Sequence, residues 1–203
     1  MFIFWPVMAL LVGALLYVLR HGPPRAEWLF KPAAALTFIV AALASGATAS
    51  TFGRVLLAGL LLAAAGDVLL IFRTRRSFLA GLVAFLLGHL AYAVAFAVRG
   101  VELPRVLLAT GLLGAVAVPV LRWLWPHVER PMRGPVAAYV TVITAMVAFA
   151  AGTGAPLLLV GAIAFYLSDL AVARERFVAR GFVNRAWGLP LYFFAQLLLA
   201  TQA

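Results

Sequence analysis

Residues 55–72 read VLLAGLLLAAAGDVLLIF, and Arg73, Thr74, Arg75 and Arg76 follow. Apart from Asp67, every side chain in the run is apolar or absent. A helix rises 1.5 Å per residue, so a run of this length nearly crosses the ~30 Å hydrocarbon core of a bilayer. The arginines mark where it leaves. The stretch therefore reads as a membrane-spanning helix with one carboxyl group at depth.

The rest of the chain repeats that pattern. Of 203 residues, 66% are apolar and only 11% are charged, where a soluble domain carries about a quarter charged residues. No segment reads as a water-soluble module, so the chain is expected to be a single transmembrane domain over 1–203. Eight apolar stretches approach the ~20 residues a spanning helix needs. They run over Phe2–Leu19, Ala33–Ser50, Val55–Phe72, Phe78–Val98, Leu103–Leu121, Val136–Ala151, Pro156–Ala173 and Trp187–Thr201. The connectors carry the Gly, Pro and Arg that punctuate helices, as in His21-Gly22-Pro23-Pro24-Arg25 and Arg130-Pro131-Met132-Arg133-Gly134-Pro135. The first stretch lacks a basic leader region, and Lys31-Pro32 rather than a cleavage site follows it. It is expected to be a true helix. The expected fold is an all-α polytopic bundle of about eight transmembrane helices.

The odd-numbered connectors hold thirteen of the sixteen Lys and Arg. Short Lys/Arg-rich loops stay in the cytoplasm, which predicts cytoplasmic odd connectors and both termini on the other side. The same bias explains the net charge of +10 without nucleic acid as a partner. One Lys against fifteen Arg, with abundant Ala, suggests a GC-rich bacterial genome, and so a multi-pass protein of the bacterial inner membrane. The chain has no cysteine, which excludes disulfides and thiolate metal sites.

Of six acidic residues, only Asp67 and Asp169 lie inside predicted spans. Each precedes its first arginine by five or six residues, roughly 8–9 Å of helix rise. Both are expected in the cytoplasmic half of the bilayer at similar depth. A charge there costs on the order of 2–3 kcal/mol, so a partner offsets it or the group keeps its proton. One reading is that each aspartate only pairs with a loop arginine or caps a backbone; the other is a functional site. The segments leading to them, Leu61–Asp67 and Ile163–Asp169, resemble each other, and four helices separate them. A repeat would therefore be parallel rather than inverted.

Other polar groups lie at depth. His89 and Tyr92, three apart, share a face of the fourth helix, and Tyr166 shares one with Asp169. Tyr192 and Gln196 are four apart on the eighth helix. Such residues serve either as interhelical glue or as parts of a site. Lys31 opens the second helix, where it snorkels or meets a lipid phosphate; Asn184 and Arg185 open the eighth on the same side. Gly59, Ala63 and Gly66 form a small-residue face that admits a neighbouring helix. No nucleophile-elbow serine and no histidine pair with ligand spacing occurs, which disfavours a serine hydrolase, a zinc enzyme and any metal site.

Several motifs together resemble the YhhN family of membrane proteins, which includes lysoplasmalogenases: Lys31-Pro32, Gly66-Asp67-Val68-Leu69-Leu70, Gly88-His89-Leu90-Ala91-Tyr92, Phe165-Tyr166-Leu167-Ser168-Asp169-Leu170, Arg176-Phe177, and Tyr192 with Ala195-Gln196-Leu197. The resemblance covers the second to the eighth helix; the fifth and sixth carry little that matches. It implies hydrolysis of the vinyl ether of a lysoplasmalogen to a fatty aldehyde and a glycerophospho-ethanolamine or -choline, with no cofactor. Vinyl ethers cleave by protonation at the β-carbon, which leaves an oxocarbenium ion. That step needs one protonated acid and one anion, the logic of glycoside hydrolysis. Asp67 and Asp169 are the one candidate pair at depth. His89, Tyr92, Tyr166, Tyr192 and Gln196 are expected to support them, and Lys31, Asn184 and Arg185 to hold the headgroup. The expected partners are a lysophospholipid substrate and membrane lipids; a homodimer is open. The rival reading is a small proton-coupled transporter or lipid-translocating protein, since buried acids and a repeat suit transport.

Overall fold

The computed structural model describes residues 2–72 and 74–203. Arg73, one of the arginines counted toward the cytoplasmic side, lies outside them. Among the described residues the chain forms eight α-helices and no strand: α1 (Phe4–His21), α2 (Glu27–Ala44), α3 (Thr51–Ile71), α4 (Arg75–Arg99), α5 (Leu103–Leu124), α6 (Arg130–Gly152), α7 (Pro156–Ala173) and α8 (Phe182–Ala200). Short 3-10 turns precede α2 and follow α5, and a π-helical turn, Arg174–Val178, follows α7. Seven of the eight helices are long and apolar enough to cross a membrane. The eighth, α8, carries Asn184, Arg185, Tyr192 and Gln196 within its 19 residues.

Three predicted boundaries move outward, and at two of them, those of α2 and α6, the helix runs through the proline that marked the predicted start. α2 starts at Glu27 rather than Ala33, α6 at Arg130 rather than Val136, and α8 at Phe182 rather than Trp187. Pro32, Pro135 and Pro190 all lie inside helices. Proline is tolerated in membrane helices because neighbouring groups re-satisfy the backbone it frees. α2 also stops at Ala44, not Ser50, where Ser45 donates its hydroxyl to Ala41 O at 2.7 Å. Two helix starts are capped by side chains. Ser50 accepts from Gly53 N at 2.9 Å, and Thr74 and Ser77 form a reciprocal capping box on α4.

Lipid tails are as apolar as leucine, so close packing rather than hydrophobic exclusion holds such helices together. The face formed by Gly59, Ala63 and Gly66 is where α4 lies against α3. A Cβ on Gly59 would stand 2.4 Å from the Tyr92 ring, and one on Gly66 would stand 2.7 Å from the Phe85 ring.

Six helices close a ring in the order α2, α3, α4, α6, α7, α8, with α8 returning to α2. α1 packs outside on α2 and α8, and α5 packs outside on α6. Part of the pattern repeats with a period of four helices, although the packing of α1 on α8 has no comparable counterpart between α5 and α4. The pairs α1–α2, α2–α3, α3–α4 and α4–α6 have counterparts in α5–α6, α6–α7, α7–α8 and α8–α2. This supports the parallel repeat suggested by the two aspartate segments.

The arginine-rich connectors share one end of the bundle. Arg20 stacks on the Phe182 ring at 5.3 Å, and one small pocket gathers Arg75, His127 and Arg180 from three odd connectors. At the other end Glu102 N donates to Gly152 O at 2.8 Å, joining the fourth and sixth connectors.

Candidate active site

A cavity of about 450 Å³ draws on all eight helices and is walled by both Asp67 and Asp169. The rest of its inner wall is largely hydrocarbon, including Leu82, Phe85, Val140 and Ile143. Toward the arginine-rich end it is bordered by Glu27, Arg176, Arg180 and Arg185.

Asp67, on α3, is 2% exposed. Its Oδ1 lies 3.2 Å from the Lys31 ammonium on α2, which also donates to the Asp67 carbonyl at 3.2 Å. Its Oδ2 accepts from the Tyr192 hydroxyl of α8 at 2.6 Å. Behind Tyr192 the network continues. Gln196 Nε2 donates to the Tyr192 hydroxyl at 3.2 Å, and Gln196 Oε1 accepts from the Tyr92 hydroxyl of α4 at 2.7 Å. Four helices are thereby joined around one carboxylate, and each side chain of this network, from Lys31 through Asp67, Tyr192 and Gln196 to Tyr92, has a hydrogen-bond partner. That is the condition under which a buried polar network specifies one arrangement.

Asp169, on α7, is the more accessible of the two, with a side chain 16% exposed. Its Oδ2 accepts from the Tyr139 hydroxyl of α6 at 2.8 Å, and His89 Nε2 of α4 lies 3.5 Å from the same oxygen. The two surroundings correspond under the four-helix repeat: α2 and α8 serve Asp67 where α6 and α4 serve Asp169. They differ in charge. Asp67 faces an ammonium, whereas Asp169 faces a phenol and an imidazole.

Aromatic rings connect the partners of the two carboxylates. The Phe165 ring packs edge-on to His89 at 4.5 Å and to Tyr192 at 5.3 Å, so it touches a partner of each aspartate. Phe85 adds a further contact to Tyr192 at 5.8 Å. Such edge-to-face pairs hold ring orientations as well as burying area.

The structure thus brings together Asp67, Asp169, His89, Tyr92, Tyr192, Gln196 and Lys31. Lys31 is 7% exposed and turned onto Asp67 instead of standing at the membrane surface. Tyr166 lines the cavity, and its hydroxyl is buried without a hydrogen-bond partner among the described residues. Asn184 and Arg185 border the cavity, but both also brace the α7–α8 connector. Asn184 Nδ2 donates to Glu175 Oε2 and to Ala179 O, each at 2.7 Å, and its Oδ1 accepts from Arg174. Arg185 pairs with Glu175 at 3.3 Å. Tyr139 went unnoticed in the sequence, because a helix starting at Val136 leaves it at the interface, where tyrosine is commonplace. With α6 starting at Arg130 it stands more than two turns deep.

The fold and site define a multi-pass membrane protein with two carboxyl groups lining one largely hydrocarbon-walled cavity. Residues 26–203 match the YhhN family model, and the chain belongs to the YhhN family. Among its relatives are the lysoplasmalogenases TMEM86A of Bos taurus and of Homo sapiens, each 30% identical over 162 residues. Each match covers 71% of this chain and spans 63% of the relative's length. No solved structure matches the fold.

Proposed function

We propose that the protein is a membrane-embedded hydrolase that cleaves the vinyl ether of lysoplasmalogens, releasing a fatty aldehyde and a glycerophospho-ethanolamine or -choline. The observation that carries the reading is the shared cavity: two differently partnered carboxyl groups face a hydrocarbon-walled space whose rim is basic. The relatives' names point the same way. The orientation follows the arginine count, with the odd connectors in the cytoplasm and both termini outside, in the bacterial inner membrane.

The different surroundings divide the labour. Asp67 is paired with the Lys31 ammonium at 3.2 Å, and we assign it as the group that faces the cation formed during reaction. Among the described residues no ammonium or guanidinium pairs with Asp169, and we assign it as the acid. It gives its proton to the β-carbon of the vinyl ether, and the alkene electron pair forms that C–H bond. The oxocarbenium ion so formed lies against the Asp67 carboxylate. Water adds to the α-carbon and returns a proton to Asp169, which His89 and Tyr139 orient. The hemiacetal then breaks its bond to the glyceryl oxygen, which takes up a proton and leaves as the alcohol, while the hemiacetal hydroxyl gives up its proton and becomes the aldehyde carbonyl. One water is consumed and no proton is gained or lost overall.

This order of steps leaves an isotopic mark. Turnover in deuterium oxide, with the aldehyde reduced at once by borohydride, is expected to place one deuterium on the carbon next to the former carbonyl. Aldehyde with no deuterium there would remove the protonation step. The four-helix repeat around a carboxylate pair also suits a transporter. Aldehyde release by purified protein without any gradient separates the two.

A further inference from the structure

We infer that the small pocket beside the cavity mouth is a zwitterionic headgroup site, built for a phosphodiester carrying a primary ammonium such as phosphoethanolamine. The inference rests on the proposed lysolipid substrate.

The pocket has a volume of about 180 Å³ and draws on three connectors of the arginine-rich end. Arg75 enters from the first turn of α4, His127 and Glu129 from the α5–α6 connector, and Arg176 and Arg180 from the segment after α7. Three guanidiniums against one carboxylate leave the lining positive, which selects an anion. Planar guanidiniums match phosphate oxygens in pairs. The N-terminal end of α4, where Arg75 and Phe78 line the pocket, adds the positive end of a helix dipole. The Arg176 guanidinium lies 4.1 Å above the Phe78 ring, which fixes it at the pocket wall.

Two features make this pocket the partner of the cavity. Arg176, Phe177 and Arg180 line both, so the two spaces adjoin at these residues. The spacing also fits. Arg176 follows Asp169 by seven residues, a rise of roughly 10 Å. A lysolipid whose enol ether sits at Asp169 carries its phosphate one glycerol and one ester oxygen farther out, toward those arginines. The ammonium lies beyond the phosphate, and Glu129 supplies the one carboxylate of the pocket lining. A quaternary choline cannot donate a hydrogen bond to that carboxylate, whereas ethanolamine can. The pocket thus predicts a preference for ethanolamine over choline.

The test is binding of uncleavable saturated alkyl-ether lipids to the purified full-length protein in detergent. The probes are alkyl-lysophosphatidylethanolamine, alkyl-lysophosphatidylcholine and the headgroup-free alkylglycerol. Arg75→Gln and Arg180→Gln should each weaken both phospholipids by roughly tenfold, the scale of a charge-assisted hydrogen bond, and leave alkylglycerol binding unchanged. Glu129→Gln should lower affinity for the ethanolamine lipid toward that of the choline lipid. Equal losses for alkylglycerol, or no loss for any lipid, would overturn the site. So would protection by inorganic phosphate that does not compete with the lipid, which marks a separate phosphate site. Headgroup-dependent binding without aldehyde release from the alkenyl lipid would sink the hydrolase reading and leave the headgroup site standing.

Discussion

Asp67 and Asp169 sit on helices with corresponding neighbours four helices apart, yet among the described residues Asp67 alone is matched with a Lys or Arg, Lys31 at 3.2 Å. The corresponding helix on the other side contributes Tyr139 to Asp169 instead. Under the proposed function, this difference in partners is what would give the two carboxyl groups two roles.

That asymmetry bears first on the obvious substitutions. Asp67→Asn removes the anion and strands the Lys31 ammonium in a buried place. Removing one partner of a buried pair costs about 3–5 kcal/mol, whereas replacing both with apolar groups is often neutral. Asp67→Asn and Lys31→Met alone should each lower the midpoint of unfolding in detergent sharply, and Lys31→Met with Asp67→Asn should recover most of the loss. Additive losses in the double variant would mean that the pair carries no coupling.

Asp169→Asn should behave differently. No cation is left unpaired, and the amide oxygen still accepts from Tyr139. The variant is expected to keep its unfolding free energy within about 1 kcal/mol of the wild type, the scale of one net hydrogen bond, and to lose turnover. An unfolded Asp169→Asn would give the aspartate a structural role that this geometry does not foresee.

Tyr139→Phe removes the one hydroxyl that donates to Asp169 at 2.8 Å. A hydrogen bond to a charged group contributes about 1.5–3 kcal/mol, so kcat should fall by roughly ten- to a hundredfold with KM little changed. Loss confined to KM would move Tyr139 from the acid to substrate binding.

Gly59→Ala tests the close approach of α3 and α4. The new methyl meets the Tyr92 ring at 2.4 Å and Gly88 O at 3.2 Å. Overpacking of this kind costs about 1–3 kcal/mol, and displacing Tyr92 breaks its bond to Gln196. Lower thermal stability in detergent is expected. Wild-type stability would show that the ring has room to move.

The chain contains no cysteine, so single cysteines report sidedness cleanly. A membrane-impermeant maleimide added to intact cells should label Thr48→Cys and spare Arg130→Cys. The reverse pattern would invert the proposed orientation.

The helices were legible because a bilayer demands long apolar runs, and both aspartates stood out because a carboxyl group at depth is costly. The partners of those aspartates were harder to read. Lys31 and Tyr139 both follow from helix starts that lie five or six residues earlier than their prolines suggest. In water a proline ends a helix; in this bundle Pro32 and Pro135 do not, and the residues beside them sit deeper than a punctuation rule allows. Tyr92, Tyr192 and Gln196 were visible as polar groups at depth. That they join into one chain ending on Asp67 depends on how α3, α4 and α8 pack, which periodicity on a single helix does not contain.

The most direct measurement is aldehyde release from alkenyl-lysophosphatidylethanolamine by purified protein in detergent, run beside Asp169→Asn and the Lys31→Met, Asp67→Asn double variant. The account predicts turnover by the wild type and none by either folded variant. Wild-type rates in either would remove that carboxyl group from the chemistry, and no aldehyde from well-folded wild type would contradict the hydrolase itself.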